Sequence, residues 1–359
     1  MYKKWYFRIL ALMAILACLL GLAACGGNGG AKPGQSDPGQ NGGNGGGDDI
    51  SWREIPAEYL NLEMNAFQTA FECRGFTEEG RSFIEKNPYI TIPTYHNGKE
   101  IVSLYLSKPG LEFSGLKGIK VPEGIVNFGA SEDPTLELAV LPASINSVNN
   151  EAFKDCVSLK KVQMAEGIAL IGGSAFENCT ALTTVSIPST VYVVEYYAFR
   201  GCTALQEITL PDALEQLGEG AFKDCTALTS IWIPGKVETI SPYVFENCTA
   251  LTDLTLEEGV QEMSDSFHGC TALTKVVLPN SLQYLIFNTF SGCTALETVE
   301  LGTGLKPLGG TALTCAPFAG CTALKTVKFP GTTAQWNELN MQAMPAGSTV
   351  ECSDGNLNF

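Results

Sequence analysis

The chain reads as a mostly β repeat solenoid. Three observations predict it. Cysteines fall at 156, 179, 202, 225, 248, 270, 293 and 321, at intervals of 23, 23, 23, 23, 22, 23 and 28. Three residues before each stands a phenylalanine, from Phe153 to Phe318, and three residues after each a leucine, from Leu159 to Leu324. Between these markers apolar and polar residues alternate, as in a short strand with one buried face. Units of this length cannot bury their apolar sides alone, so they must stack into one continuous core.

The unit from Leu182 to Leu205 shows the mechanics. Leu182, Val185 and Ile187 alternate with Thr184 and Ser186, which makes a strand buried on one side. Pro188 ends it, because proline cannot continue a hydrogen-bond ladder. Val191 and Val194 point inward from a second extended run, Ala198 and Phe199 fill the core, and Gly201-Cys202-Thr203 turns the chain back. Pro211, Pro234 and Pro279 repeat the stop. Stacked strands lie about 4.8 Å apart and form a parallel sheet. Three weaker units precede the eight clear ones, marked by Ile90 to Pro93, by Leu116, Ile119, Val121 and Pro122, and by Leu136, Ala139, Leu141 and Pro142. They lack the cysteine.

These residues resemble the BspA-type leucine-rich repeat, which runs leucine, x, x, isoleucine, x, isoleucine, proline, then Ala-Phe-x-x-Cys. The match covers about half the chain, in eight units. The resemblance implies a right-handed leucine-rich-repeat solenoid, with a parallel sheet, short helical or irregular turns, and N- and C-terminal caps. Gly75 to Gly80, followed by Ile92-Pro93 and Gly98, resembles the family's entry segment; Gly331 to Asn337 and Val350 to Gly355 resemble its C-terminal cap. Caps are physically required, since an open solenoid end exposes core and unpaired strand edges. The expected organisation is a signal peptide over 1–24, a lipidated cysteine and tether over 25–49, an N-terminal cap over 50–88, the solenoid over 89–330 and a C-terminal cap over 331–359.

The first 49 residues follow a different logic. Lys3, Lys4 and Arg8 precede an apolar run from Ile9 to Gly21, too short for a comfortable transmembrane helix. Leu22-Ala23-Ala24-Cys25-Gly26 then resembles the lipobox of bacterial lipoproteins. That resemblance implies cleavage before Cys25, a diacylglycerol on its sulfur and acylation of the new amine. Each buried methylene adds about 0.8 kcal/mol, so two or three acyl chains anchor far better than one. Gly26 to Asp49 holds no apolar residue but Ala31 and cannot form a core. It reads as a flexible tether with a reach of roughly 25–30 Å. The expected location is therefore extracytoplasmic, at the bacterial cell surface.

The formal charge is −16. Removal of residues 1–24 takes three basic groups and no acid, leaving 19 basic and 38 acidic side chains, a net −19. Such a surface repels phosphate backbones, which argues against nucleic-acid partners.

Thirteen cysteines in an exported chain suggest disulfides. The eight in register argue otherwise, because neighbouring repeats point them the same way, a poor geometry for bridging. They read as small buried hydrophobes with weak S–H bonds to loop carbonyls. Cys73, Cys315 and Cys352 lie outside the ladder, where a bridge stays open. No clustered Cys/His set suggests zinc, and no cofactor is implied. The two histidines, His96 and His268, belong to no catalytic pattern, and His268 reads as a solvated loop residue. Asn178 and Asn247 match glycosylation acceptors but stand at a turn position that elsewhere holds Asp or Gly.

Function must then come from surface. The outward strand positions form a polar grid, from Lys161 and Gln163 through Thr184 and Ser186 to Thr326 and Lys328. Trp232 is its one aromatic residue, expected to be accessible between Thr209 and Thr255, and tryptophan is enriched at binding hot spots. Tyr192, Tyr196, Tyr197 and Tyr243 form a rival patch on the second run and its turn, and the inserted loop from Gly309 to Pro317 is a third location. The leading reading is a monomeric, lipid-anchored binding or adhesion protein with a protein or glycan ligand, not an enzyme. The alternatives are a structural envelope protein without a specific ligand, and an enzyme with a site in residues 51–88, a stretch short for a catalytic domain.

Overall fold

A computed structural model describes residues 50–106, 115–307 and 315–359. They belong to one compact unit, Asp49–Phe359. Cys25 and the expected leader and tether lie outside the described residues, as does most of the inserted loop.

Each repeat makes a strand where the alternation places it. In the representative unit Thr184–Ser186 is a strand whose outer residues are exposed and whose Val185 is buried. The chain then turns at Pro188, whose carbonyl accepts the Val191 N–H at 3.1 Å. The same turn recurs from Leu214 to Pro211, Val237 to Pro234 and Leu282 to Pro279. Proline thus stops the strand and also supplies the acceptor that reverses the chain. A second, two-residue strand follows, Val193–Val194, in parallel register with Leu170–Ile171 on one side and Gln216–Leu217 on the other.

Stacking these turns produces two ribbons of parallel strands. The broad ribbon carries the first strand of every repeat, with Thr184 opposite Glu207, Ser230 opposite Asp253 and Lys275 opposite Thr298. The narrow ribbon carries the second. Between them lies a single core in which all eight phenylalanines are fully buried. Their rings stack from repeat to repeat at centroid distances of 5.0–6.2 Å with interplanar angles of 5–13°.

The three weaker repeats stack in the same register. Tyr89–Thr91, Gly118–Lys120 and Leu138–Leu141 pair in parallel and lead into Lys161–Met164. The segment expected to form the N-terminal cap goes further: Arg53–Glu54 pairs in parallel with Ile90–Thr91 and is the first strand of the broad ribbon. An antiparallel hairpin, Leu60–Met64 with Phe71–Phe76, starts the narrow ribbon by pairing with Lys99–Tyr105. The helix Glu78–Lys86 begins at Thr77, whose hydroxyl accepts the Gly80 N–H at 3.1 Å, the usual service of a threonine N-cap.

At the other end Thr349–Cys352 adds a parallel strand and Gly355–Asn358 folds back antiparallel on it. The helix Thr333–Leu339 opens with a capping box between Thr332 and Gln335. It lays Trp336 edge-on against Phe329 at 5.5 Å, so that both are buried. Among the described residues no helix is long and apolar enough to cross a membrane.

Candidate functional site

The cysteine ladder belongs to the core, not to a reactive site. All eight thiols are fully buried, and all eleven cysteines among the described residues are unpaired. Each ladder sulfur has a definite partner. The Sγ of Cys179 donates to the carbonyl of Phe153 at 3.1 Å, that of Cys202 to Phe176 at 3.1 Å and that of Cys225 to Phe199 at 3.1 Å. The pattern continues to Cys321. The same carbonyl closes its own turn, as when Phe153 accepts the Cys156 N–H at 3.1 Å. Thus each thiol keys one repeat to the repeat before it. Burial pushes the Cys202 thiol up to about 12, so almost no thiolate exists at neutral pH. Cys73 and Cys315 are likewise buried, and Cys352 is half-buried in the C-terminal cap.

The turn beside the ladder carries charge in a regular order. Lys154, Glu177, Arg200, Lys223, Glu246 and His268 each follow the core phenylalanine. Glu177 lies between Lys154 at 3.5 Å and Arg200 at 3.3 Å, and Glu246 between Lys223 and His268. His268 is therefore part of this surface ladder. The next position holds Asp155, Asn178, Gly201, Asp224, Asn247 and Gly269, all with positive φ between 59° and 75°. The Asn178 amide donates to Asp155 at 2.7 Å and that of Asn247 to Asp224 at 2.8 Å. Both asparagines thus serve the turn that Asp and Gly serve elsewhere.

The broad ribbon displays the expected grid, but its tryptophan is less open than the sequence suggests. Trp232 stands opposite Thr255 in register; Thr209 and Thr255 are exposed, yet the indole is half-buried. No aromatic ring among the described residues packs on it. Toward the C-terminus the grid is charge-compensated, with Glu300 between Lys275 at 2.9 Å and Lys328 at 3.2 Å. These ammonium groups hold the Glu300 carboxyl below the usual carboxylate range.

Tyr196 and Tyr197 meet edge-on at 6.1 Å. Tyr243 lies two repeats further along, and Tyr192 directly precedes the narrow-ribbon strand Val193–Val194. Tyr192 and Tyr196 are 45% and 50% exposed. Tyr197 and Tyr243 have φ of 54° and 62°, a conformation that bulky residues rarely adopt. Glu151, Ser174 and Gly220 share it at the equivalent turn, so the repeat imposes it. The Tyr197 ring packs against Gly220, where a Cβ would collide with it, and its hydroxyl donates to Glu219 at 3.3 Å. Arg200 lies 5.4 Å over the Tyr197 ring and Lys223 5.5 Å over that of Tyr243.

Among the described residues no group of three or more His, Cys, Asp and Glu side chains is placed to hold a metal ion. His96 lies edge-on to Phe71 at 5.2 Å, in the N-terminal sheet. A cleft of ≈ 290 Å³ opens between Leu305, Phe329 and the C-terminal helix residues Gln335 and Glu338.

The model of the BspA type leucine-rich repeat region matches six copies, over residues 126–252 and 216–345. The chain belongs to this family. Three solved structures are similar at low identity. A leucine-rich repeat protein of T. pallidum is 22% identical, over 62% of this chain and 91% of that one, with a TM-score of 0.45. A leucine-rich cell surface protein of Faecalibacterium prausnitzii is 18% identical over 83% and 94%, with a TM-score of 0.39. The pneumococcal vaccine antigen PcpA is 17% identical over 73% of each chain, with a TM-score of 0.41. No curated protein matches the chain.

Proposed function

We propose that this member of the BspA-type repeat family is a lipid-anchored binding or adhesion protein of the bacterial cell envelope. The observation that carries the reading is the division of labour within each repeat. Every inward position is consumed by the core, and the outward positions vary freely on a fixed backbone grid. A rigid scaffold with variable outward side chains is what protein recognition requires, because little entropy is lost when a partner docks. The lipobox at Cys25 and the tether up to Asp49 support attachment at a membrane with the solenoid held clear of it. Trp232 on the broad ribbon and the pair Tyr196 and Tyr197 at the turn are the contact candidates there.

Two measurements test this. Expressed in a bacterial host, the wild type should partition into detergent and Cys25→Ala into the aqueous phase; equal partitioning of both would remove the anchor. The soluble region should then be screened against matrix proteins, glycans and envelope components. With a ligand in hand, Trp232→Ala should weaken binding by about 2 kcal/mol if the broad ribbon is the contact, and Tyr196→Ala should do so if the turn is. Failure to retain any component across the screen would favour the structural alternative.

A further inference from the structure

The turn at Tyr196 and Tyr197 holds an aromatic surface that the core does not require. A Cβ on Gly173 would collide with Cζ, Cε1 and Cε2 of Tyr196, atoms on both sides of the ring axis. The ring therefore lies with one face down on that glycine. Gly173 does not have a left-handed φ, so what it supplies is the missing side chain and not backbone freedom. Tyr196 is 50% exposed, which leaves its other face to solvent, and its hydroxyl has no partner among the described residues. Tyr197 stands at 88° to it. The two rings make a floor and a wall.

Tyrosine at position 197 carries a conformational cost. Its left-handed φ suits glycine, which the next repeat uses at Gly220. Strained backbone of this kind collects at functional sites. The same choice recurs at Tyr243, two repeats on and about 10 Å along the stack. The surroundings of the corner are polar. Arg200 lies over Tyr197 and pairs with Glu177, and Glu219 accepts the Tyr197 hydroxyl. Glu195 accepts the Gly173 N–H at 2.8 Å, directly beneath the Tyr196 ring. Donors and acceptors thus stand within one repeat of the bare ring face.

We propose that this corner binds a pyranose ring of a neutral saccharide. A pyranose has an apolar C–H face, which packs on Tyr196, and a rim of hydroxyls, each a donor and an acceptor. The free Tyr196 hydroxyl, Arg200 and Glu195 supply the polar partners that fix its orientation. Other ligand chemistries fit less well. An apolar peptide segment would bury the charged groups without partners. A cationic segment would compete with Arg200 and Lys223, which already lie over Tyr197 and Tyr243. An anion would meet the field of a net charge of −16. A neutral sugar meets none of these penalties. The inference rests on the reading of the solenoid as a binding scaffold and names the ligand class for its turn.

The test passes the full chain over an array of neutral, carboxylated and sulfated oligosaccharides, and the neutral sugar retained most strongly then goes into calorimetric titration. Retention should be strongest among the neutral sugars. Tyr196→Ala should lose about tenfold in affinity, as should Tyr197→Gly, which suits the backbone and removes the wall. Gly173→Ala keeps every contacting group and lifts the floor, and should lose about fivefold. Trp232→Ala, on the broad ribbon, should stay within about twofold. Unchanged thermal midpoints establish that each variant folds; if Gly173→Ala lowers the midpoint, the exposed Tyr196 decides. An array that retains no neutral sugar would overturn the proposal, as would retention that survives both Tyr196→Ala and Tyr197→Gly. Capture of a protein component in the cell-surface screen with no sugar retained would sink the corner and leave the binding reading standing. Sugar binding at the corner without any capture from that screen would keep the corner and sink the adhesion reading.

Discussion

The eight clear repeats and the last of the weaker repeats before them reach the same register by different means. From Phe153 to Phe318 every turn has a phenylalanine in the core and a buried thiol bonded to the preceding turn. One repeat earlier Ala130 takes the phenylalanine's position, and its carbonyl accepts the Cys156 Sγ at 2.9 Å. Phe128, two residues away, ends the ring stack, tilted by 39° against Phe153 at 5.2 Å. Asp133 takes the cysteine's position and is fully buried. Its Oδ1 accepts from the N–H groups of Thr135 at 2.8 Å and Leu136 at 3.2 Å, while its Oδ2 has no partner among the described residues. The backbone accounting of the turn is thus preserved while its residues change. The difference teaches that stacking depends on filling the core and satisfying the turn, and that the cysteine is one solution among several.

That comparison can be broken at several points. Phe199 has a ring neighbour on each side, so Phe199→Ala should cost about 3–5 kcal/mol in chemical denaturation. Phe128→Ala, at the end of the stack, should cost less, and Ser186→Ala on the outward grid should stay within about 0.5 kcal/mol. Similar losses at Phe199 and Ser186 would mean that the repeat phase is misplaced.

The thiol key should be worth less than the ring. Cys225→Ala removes one of two donors to the Phe199 carbonyl and opens a small void, at a cost of about 1–2 kcal/mol. Cys225→Ser keeps a donor in the same place and separates the hydrogen bond from the packing of sulfur. If the serine variant is the weaker of the two, packing and not the bond to Phe199 makes the key.

Asp133 offers the smallest and most specific effect. Burial raises its carboxyl above the ordinary range, against the hydrogen bonds from Thr135 and Leu136 that lower it. A group that binds its proton more tightly when folded favours the folded state most below its unfolded value near 3.9, and that contribution fades as pH rises through the folded value. Asp133→Asn, which does not titrate, should therefore gain on the wild type as pH is raised from the acid side to neutrality. A stability difference that is flat over that range would show that the carboxyl is not penalised in the fold.

Most of the core was legible in the sequence, because the Phe, Cys and Leu markers repeat at one spacing and buried positions tolerate few residue types. Arg53–Glu54 was not legible as the first strand of the broad ribbon, since two exposed residues carry no alternation. Asp133 also escaped, because a polar residue in a buried slot reads as a break in the pattern. Surface positions were harder still. Trp232 sits at the outward register, but the sequence does not say how far neighbouring side chains cover it.

The central claim is that each turn is keyed to the last through a buried, reduced thiol, and counting thiols tests it most directly. Native protein without reductant should label first at half-buried Cys352, and the ladder cysteines should react only on denaturation, all of them then being free by mass spectrometry. Ladder cysteines that react readily in the native state, or that are already joined in disulfides between repeats, would contradict it.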